Sequence, residues 1–315
     1  MEHRNLGDSG LRTSLAGLGC NNFGQRIGDA ESVAVVHAAL DAGIGFFDTA
    51  DVYGGGRSET LLGRGLGRRR QEVVIATKFG YRLGQDPNQG GGSRRNVVAS
   101  CEASLRRLGT DYIDLYLLHV PDPQTPLDET LDAMSRLVEQ GKVRYLGCSN
   151  LAGWQIADAA GIARAGRRHG FVAAQNEWSL LERGIERDVV PACQRFGLGV
   201  LPYFPLAGGA LSGKYRRGEA FDATSRFGKT EAREGPFGRF VSTAALERVE
   251  RLEQVARASG RTLLELALSS LASRPIVASV IAGATRPEQV ARNVAATRSD
   301  LAADVFEAVE KALAG

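Results

Sequence analysis

Asp48, Tyr53, Lys78 and His119 each close, or closely follow, a short apolar run. IGFFDTADVYG carries the first two, VVIATK ends in the lysine and IDLYLLH ends in the histidine. A carboxylate, a phenol, an ammonium and an imidazole form a set that could protonate a carbonyl oxygen while a hydride reaches its carbon. The phenol is a weak acid, with a free pKa of about 10. An ammonium beside it favours the phenolate and eases departure of the proton, and Lys78 could supply that charge. A buried lysine without a counter-charge is costly, so Lys78 wants a carboxylate, and Asp48 fits. His119 would offer a ring N–H to the carbonyl oxygen, orienting and polarising it. Singly, each residue has an ordinary explanation: a structural histidine, a helix-capping aspartate, a packed loop tyrosine, a solvated lysine. A strand-end lysine also suits a Schiff-base enzyme, but that chemistry leaves Tyr53 and His119 without a part.

The four are useful only if strands bring them together. Apolar runs bounded by turn residues read as buried strands of a parallel sheet. They fall at residues 15–18, 45–48, 73–78, 113–118, 143–148, 172–175, 199–202 and 277–281. Helical segments alternate with them. In segment 95–108, Val98, Cys101, Leu105 and Leu108 recur at helical spacing and are expected to face the core. Ser58 is expected to cap the helix over 58–66. Eight strands, each followed by a helix, predict a (β/α)8 TIM barrel, whose chemistry sits at the carboxyl ends of its strands. The rival is a doubly wound open sheet. It would carry GxGxxG after its first strand, and none is there; in GRGLGRR, Arg68 stands where the third glycine should be. A nicotinamide cofactor would therefore be held in another way than by the Rossmann fingerprint. RNLGDSGLRTS predicts an N-terminal β-hairpin that plugs the bottom of the barrel. The long polar segments 80–94 and 204–240, after strands three and seven, predict lids or specificity loops. A C-terminal helix ends the chain, and residues 1–315 are expected to form one domain.

The 315 residues carry a net charge of +3, with basic residues scattered apart from GRRRQE and GRRHG, so nucleic-acid binding is not expected. Cys20, Cys101, Cys148 and Cys193 lie far apart, with no CxxC and no histidine at metal-ligand spacing. Free thiols without a metal are expected. The N-terminus lacks an apolar signal core and no run of 18 apolar residues occurs. A cytoplasmic protein with no membrane span is expected.

Over essentially its full length the chain resembles the aldo-keto reductase family. The most specific stretches are FFDTADVYGGGRSETLLG, VVIATKFG and DYIDLYLLHVPD. GKVRYLGCSN, QNEWSLLER, YFPLAGGALSGKY and GATRPEQVARN follow in the family's order. The resemblance implies the barrel, NADPH lying extended across its carboxyl face, and Asp48, Tyr53, Lys78 and His119 as the catalytic tetrad. It implies that Ser149, Asn150 and Gln175 bond the nicotinamide amide and that Tyr203 stacks on the nicotinamide ring. Phe204, Leu206, Ala207 and Lys214 would lie along the phosphates. Gly283, Thr285, Arg286, Gln289 and Asn293 would hold the adenosine end and its 2′-phosphate, at a helix start that attracts phosphate. Asn21 and Gln25, after strand one, would also approach the cofactor.

The chain departs from the family pattern in places. Phe204 stands where many relatives have serine, leaving one contact to the backbone. Trp178 replaces a more usual tyrosine. Gly283 and Gln289 stand where many relatives carry a lysine or arginine, which shifts the 2′-phosphate to Thr285 and Arg286; NADPH rather than NADH is still expected. The substrate would be a small carbonyl compound. Phe23, Phe79, Tyr81, Val120 and Trp178 are expected to line an apolar pocket for it. The long loop after strand seven also resembles the beta subunits of voltage-gated potassium channels, which suggests a cofactor-reading module as the alternative. No segment is expected ahead of the hairpin, which weighs against it. The family default is a monomer.

Overall fold

Two antiparallel strands open the chain, β1 (His3–Asn5) and β2 (Arg12–Ser14), with His3 opposite Ser14. Eight parallel strands follow: β3 (Ala16–Gly19), β4 (Phe46–Asp48), β5 (Val74–Phe79), β6 (Ile113–Leu118), β7 (Val143–Ser149), β8 (Phe171–Gln175), β9 (Gly199–Val200) and β10 (Val280–Gly283). Their order in the sheet is β10-β3-β4-β5-β6-β7-β8-β9. The bridges Val200–Val277 and Tyr203–Ile281 join the two edges, so the sheet closes on itself. Helices between the strands cover it, giving an α/β barrel. This is a computed structural model, and it describes residues 1–223 and 225–314.

Strand side chains alternate between faces, and the two faces here have separate cores. Phe46, Ala76, Leu115, Leu117 and Ala173 pack together inside the barrel. Phe47, Ile75, Phe79, Tyr116 and Ala174 belong to the outer layer, against the helices. Counting on by two from the inner set reaches Asp48, Lys78, His119 and Gln175. The alternation that fills the barrel therefore also aims four polar side chains into its carboxyl mouth. Lumen space is tight: a Cβ on Gly147 would lie 3.2 Å from Leu117 Cγ and 3.3 Å from Leu115 Cδ1.

The hairpin lies at the other end. Leu6 is fully buried with the lumen residues. Asp8 N–H donates to Gly197 O at 2.9 Å, and Arg4 Nη1 donates to the carbonyls of Arg274 and Val277 at 3.1 and 3.0 Å. These partners precede β9 and β10. Gly7 has φ +58°, and a Cβ there would lie 2.3 Å from Gly197 O, so only glycine allows so close an approach.

Two local expectations are corrected. The helix Arg57–Leu66 starts without a side-chain cap. Ser58 instead donates to Cys20 O at 2.8 Å and meets Thr49 Oγ1 at 2.8 Å, tying the helix to the barrel mouth. On helix Arg94–Leu108, capped by Ser93, Val97 is buried and Val98 is exposed, while Cys101, Leu105 and Leu108 face the core. All four cysteines are buried free thiols. Residues 80–93 carry no strand or helix. The segment after β9 holds the 3-10 turns Ala207–Ser212 and Pro236–Val241 and the short helix Thr230–Glu234. Among the described residues no helix is long and apolar enough to cross a membrane.

Candidate active site

Lys78 is the centre of the polar layer. Its side chain is fully buried, and Nζ lies 2.8 Å from both Asp48 oxygens, 2.7 Å from Thr49 O and 3.3 Å from Tyr53 Oη. Burial works against the ammonium, but Asp48 and Tyr53 outweigh it and the lysine pKa is raised. Lys78 is thus a permanent cation whose protons are already directed at partners. That removes the Schiff-base alternative, which needs an accessible neutral amine. Gln175 Nε2 donates to Asp48 Oδ1 at 2.7 Å, completing the layer.

Tyr53 enters from the turn Tyr53–Gly56 after β4, where Gly54, Gly55 and Gly56 all have positive φ. Lys78 acts on the phenol in the expected direction, but the net shift runs the other way. Burial is the largest influence and raises the phenol pKa, while Lys78 acts against it. At neutral pH Tyr53 is therefore a neutral phenol that keeps its proton. His119 lies edge-on to Tyr53, with ring centroids 5.8 Å apart, and edge-on to Tyr81 at 4.6 Å. Burial, then Lys78, lowers its pKa to about 2, so the imidazole is neutral. Among the described residues, no group bonds its buried Nδ1.

A cavity of about 600 Å³ opens over this layer and runs away from it. Asp48, Tyr53 and His119 line it at one end; Lys78 stands behind them. Ser149, Asn150, Gln175, Tyr203 and Phe204 border the same end. Asn150 and Phe204 both adopt positive φ, +60° and +50°. Asn21, Leu206, Lys214, Gly283, Thr285, Arg286, Gln289 and Asn293 line it as well. Thr285, Arg286 and Gln289 lie at or near the start of helix Pro287–Ala296, and Asn293 lies further along it. Gln289 Oε1 accepts from Thr285 N–H at 2.7 Å and from its hydroxyl at 3.1 Å.

Several expected residues lie elsewhere. Ala207 is fully buried in the second apolar cluster and does not border the cavity. Gln25 does not border it, whereas its neighbour Arg26 does. Of the proposed apolar pocket only Tyr81 lines the cavity. Phe79 has the outward strand parity and stacks on Tyr116 with centroids 4.8 Å apart. Phe23 is fully buried in the outer core. Trp178 is buried under the Arg274 guanidinium and donates from Nε1 to Glu186 at 2.9 Å. Val120 is half-buried beside the mouth without lining it.

Arg26, Arg226 and Arg292, which the sequence reading passed over, also line the cavity. Burial and the neighbouring Arg26 charge hold Arg226 down to about 10, so an anion placed there would be welcome. Arg226 lies over Phe237 at 4.9 Å, and Phe237 meets Phe204 edge-on at 5.1 Å. The available signal was position: both loops follow strand carboxyl ends, where barrels keep their chemistry.

The residues suit a dinucleotide. The cavity combines amide side chains beside a proton donor with the cations Arg26, Lys214, Arg226, Arg286 and Arg292. Asn22 Oδ1 is buried at its wall without a partner among the described residues. Gly283 leaves room there, since a Cβ would lie 3.2 Å from Asn22 Nδ2.

Comparison with known proteins agrees with this geometry. The profile of the Aldo/keto reductase family matches residues 16–314. A probable voltage-gated potassium channel subunit beta of Oryza sativa subsp. japonica is 38% identical over 301 residues, covering 94% of this chain and 91% of the relative. The uncharacterized oxidoreductase YrpG of Bacillus subtilis (strain 168) is 35% identical over 318 residues, covering 97% and 94%. A probable channel subunit beta of Arabidopsis thaliana is 37% identical over 301 residues, covering 94% and 91%. With a closed eight-stranded barrel, the aligned polar mouth and a profile match over nearly its whole length, the chain belongs to the aldo/keto reductase family.

Proposed function

We propose that the chain is an NADPH-dependent reductase of aldehydes or ketones, with Tyr53 as general acid. The observation that carries this reading is the Lys78 ammonium held between Asp48 and the Tyr53 hydroxyl, 3.3 Å from the latter, under the cavity floor. A bound reduced nicotinamide dinucleotide would supply the hydride. The rest is the work of the protein. Tyr53 donates its proton to the carbonyl oxygen as negative charge develops there. Lys78 offsets the burial that would otherwise hold that proton back, and Asp48 keeps Lys78 charged. His119, neutral at working pH, can offer a ring N–H to the same oxygen without adding a charge. Ser149 and Gln175 orient the nicotinamide amide, and Tyr203 carries the ring. Arg286, with Thr285, takes the 2′-phosphate, while Lys214 and Arg226 take the phosphates between.

The same reading takes residues 1–315 as one domain, a monomer in the cytoplasm. Its hairpin closes the lower end, and the loops after β5 and β9 shape the mouth. The test is steady-state oxidation of NADPH with a panel of small aldehydes, in the parent and in Tyr53→Phe. Reduction is expected to fall by about 1000-fold or more in the variant, with cofactor affinity within about twofold. Equal turnover would remove Tyr53 from its role. The names of the rice and Arabidopsis relatives favour a second reading, a cofactor-binding regulatory module of a channel. Tight NADPH binding with no multiple turnovers across the panel would select it.

A further inference from the structure

Asn150 follows β7 with φ +60°, a left-handed conformation that asparagine tolerates better than most residues. Its backbone N–H donates to Gln175 O at 3.1 Å. Its side chain is more heavily engaged. Nδ2 donates to the backbone carbonyl of His119 at 2.9 Å and to Ser149 Oγ at 3.1 Å. Oδ1 accepts from the Tyr203 hydroxyl at 2.7 Å. The amide orientation is determined by these partners. A carbonyl only accepts, so Nδ2 must face His119, and the tyrosine must then donate to Oδ1. Both amide hydrogens and one of the two lone pairs are used. One lone pair remains for anything in the cavity.

The expectation that Asn150 chiefly bonds the nicotinamide amide therefore meets a side chain already committed to the protein. Its partners belong to two separate parts of the site. Tyr203 follows β9 and presents its ring to the cavity. His119 follows β6. In the closed sheet β7 and β8 lie between those two strands. Among the described residues, only Asn150 links the Tyr203 side chain to the His119 segment through direct hydrogen bonds.

We propose that Asn150 is a positioning residue that locks the Tyr203 ring to the strand end carrying His119. The lock fixes the separation between the ring that carries the nicotinamide and the group that orients the carbonyl. This rests on the reductase reading above. Misplacement of about 1 Å at such a site costs up to about 100-fold in rate, so loss of one tether should appear in the hydride step before it appears in binding.

The test uses Tyr203→Phe, which keeps the ring and removes the hydroxyl, with Asn150→Ala and the double variant. Asn150→Asp keeps the shape but cannot donate to His119 O. Cofactor affinity is measured by fluorescence titration, turnover by NADPH oxidation, and the hydride step by the isotope effect with NADPH deuterated at the transferred position. Tyr203→Phe is expected to lower kcat about fivefold to tenfold, with KM and cofactor affinity within about twofold and a larger isotope effect. Asn150→Asp and Asn150→Ala should fall at least as far, and the double variant no further than Asn150→Ala. Unchanged kcat and isotope effect in Tyr203→Phe would overturn the proposal. So would multiplicative losses in the double variant, or a loss confined to cofactor affinity, which would make Asn150 a simple nicotinamide ligand. Failure of the parent protein to turn over would instead overturn the reductase reading. The lock is then read by hydrogen exchange: faster exchange at the amides of 118–120 in Tyr203→Phe supports it, and no change overturns it.

Discussion

Gln175 and Asp48 sit on diametrically opposite strands of the barrel and are joined by a 2.7 Å hydrogen bond, Nε2 to Oδ1. The mouth is thus spanned at full width by a single contact, and the carboxylate at its centre also holds Lys78. Gln175→Leu removes one donor from a buried carboxylate and should cost about 1 to 3 kcal/mol in urea unfolding. Gln175→Glu should cost more, because two buried carboxylates then face each other. Its deficit should be larger at pH 8 than at pH 5, since a shared proton relieves the repulsion. Equal deficits at both pH values would show that the two side chains do not meet.

Lys78→Met leaves Asp48 buried without its cation. Breaking a buried pair from one side costs about 3 to 5 kcal/mol, and the double variant Lys78→Met/Asp48→Leu should regain most of that. Chemical denaturation of the three proteins measures it. A Lys78→Met protein as stable as the parent would contradict the burial of this pair.

His119 is held neutral down to about pH 2. The pH profile of kcat/KM for carbonyl reduction should therefore show no acid limb belonging to it near 6.5. On the alkaline side, activity should persist past pH 9, because Tyr53 loses its proton only above its ordinary value. An acid limb near 6.5 that disappears in His119→Gln would refute the neutral imidazole.

Asp51 is buried, has an unpartnered Oδ1 among the described residues and lies near Glu59; burial first, then Glu59, pushes its pKa up to about 7. In the unfolded chain an aspartate titrates near 3.9. Between those values the folded state binds the extra proton, so stability should fall as pH rises from about 4 to 7 and stay low above that. Asp51→Asn should remove this slope. Its unfolding free energy should exceed the parent's at pH 8, by an amount on the order of a few kcal/mol, and differ little at pH 4. A gain independent of pH would reject the assignment.

Arg226→Ala should weaken NADPH binding about tenfold, and by more at low salt than at high, because salt screens the attraction between the guanidinium and the phosphates. Arg286→Ala should narrow the preference for NADPH over NADH. Isothermal titration at two salt concentrations separates these effects.

Much of this site was legible because it follows strand arithmetic. The runs ending at Lys78 and His119 are apolar and bounded, and β6 falls at the predicted residues 113–118. The same arithmetic, carried one residue further, would have excluded Phe79, which points outward while Lys78 points in. Val97 and Val98 were confused for a similar reason: adjacent helical valines differ by 100° of rotation, and only packing tells which one faces the barrel. Gln25 and Arg26 lie in a loop with no period at all, so nothing local marks the arginine as the one facing the cavity. Ser58 has the residue type of a cap but is claimed by Cys20 and Thr49, partners 38 and 9 residues away that no window around it contains. Phe204 holds a positive φ that its residue type does not announce.

β9 contributes two residues to the wall, and residues 200–203 meet residues 277–281 through the isolated bridges Val200–Val277 and Tyr203–Ile281. The cylinder is therefore joined by isolated bridges beside Tyr203 and the segment that follows it. The longer β5–β6–β7 pairings on the other side hold Lys78 and His119 in register, so the wall is continuous where the cation and the imidazole stand and interrupted beside Tyr203.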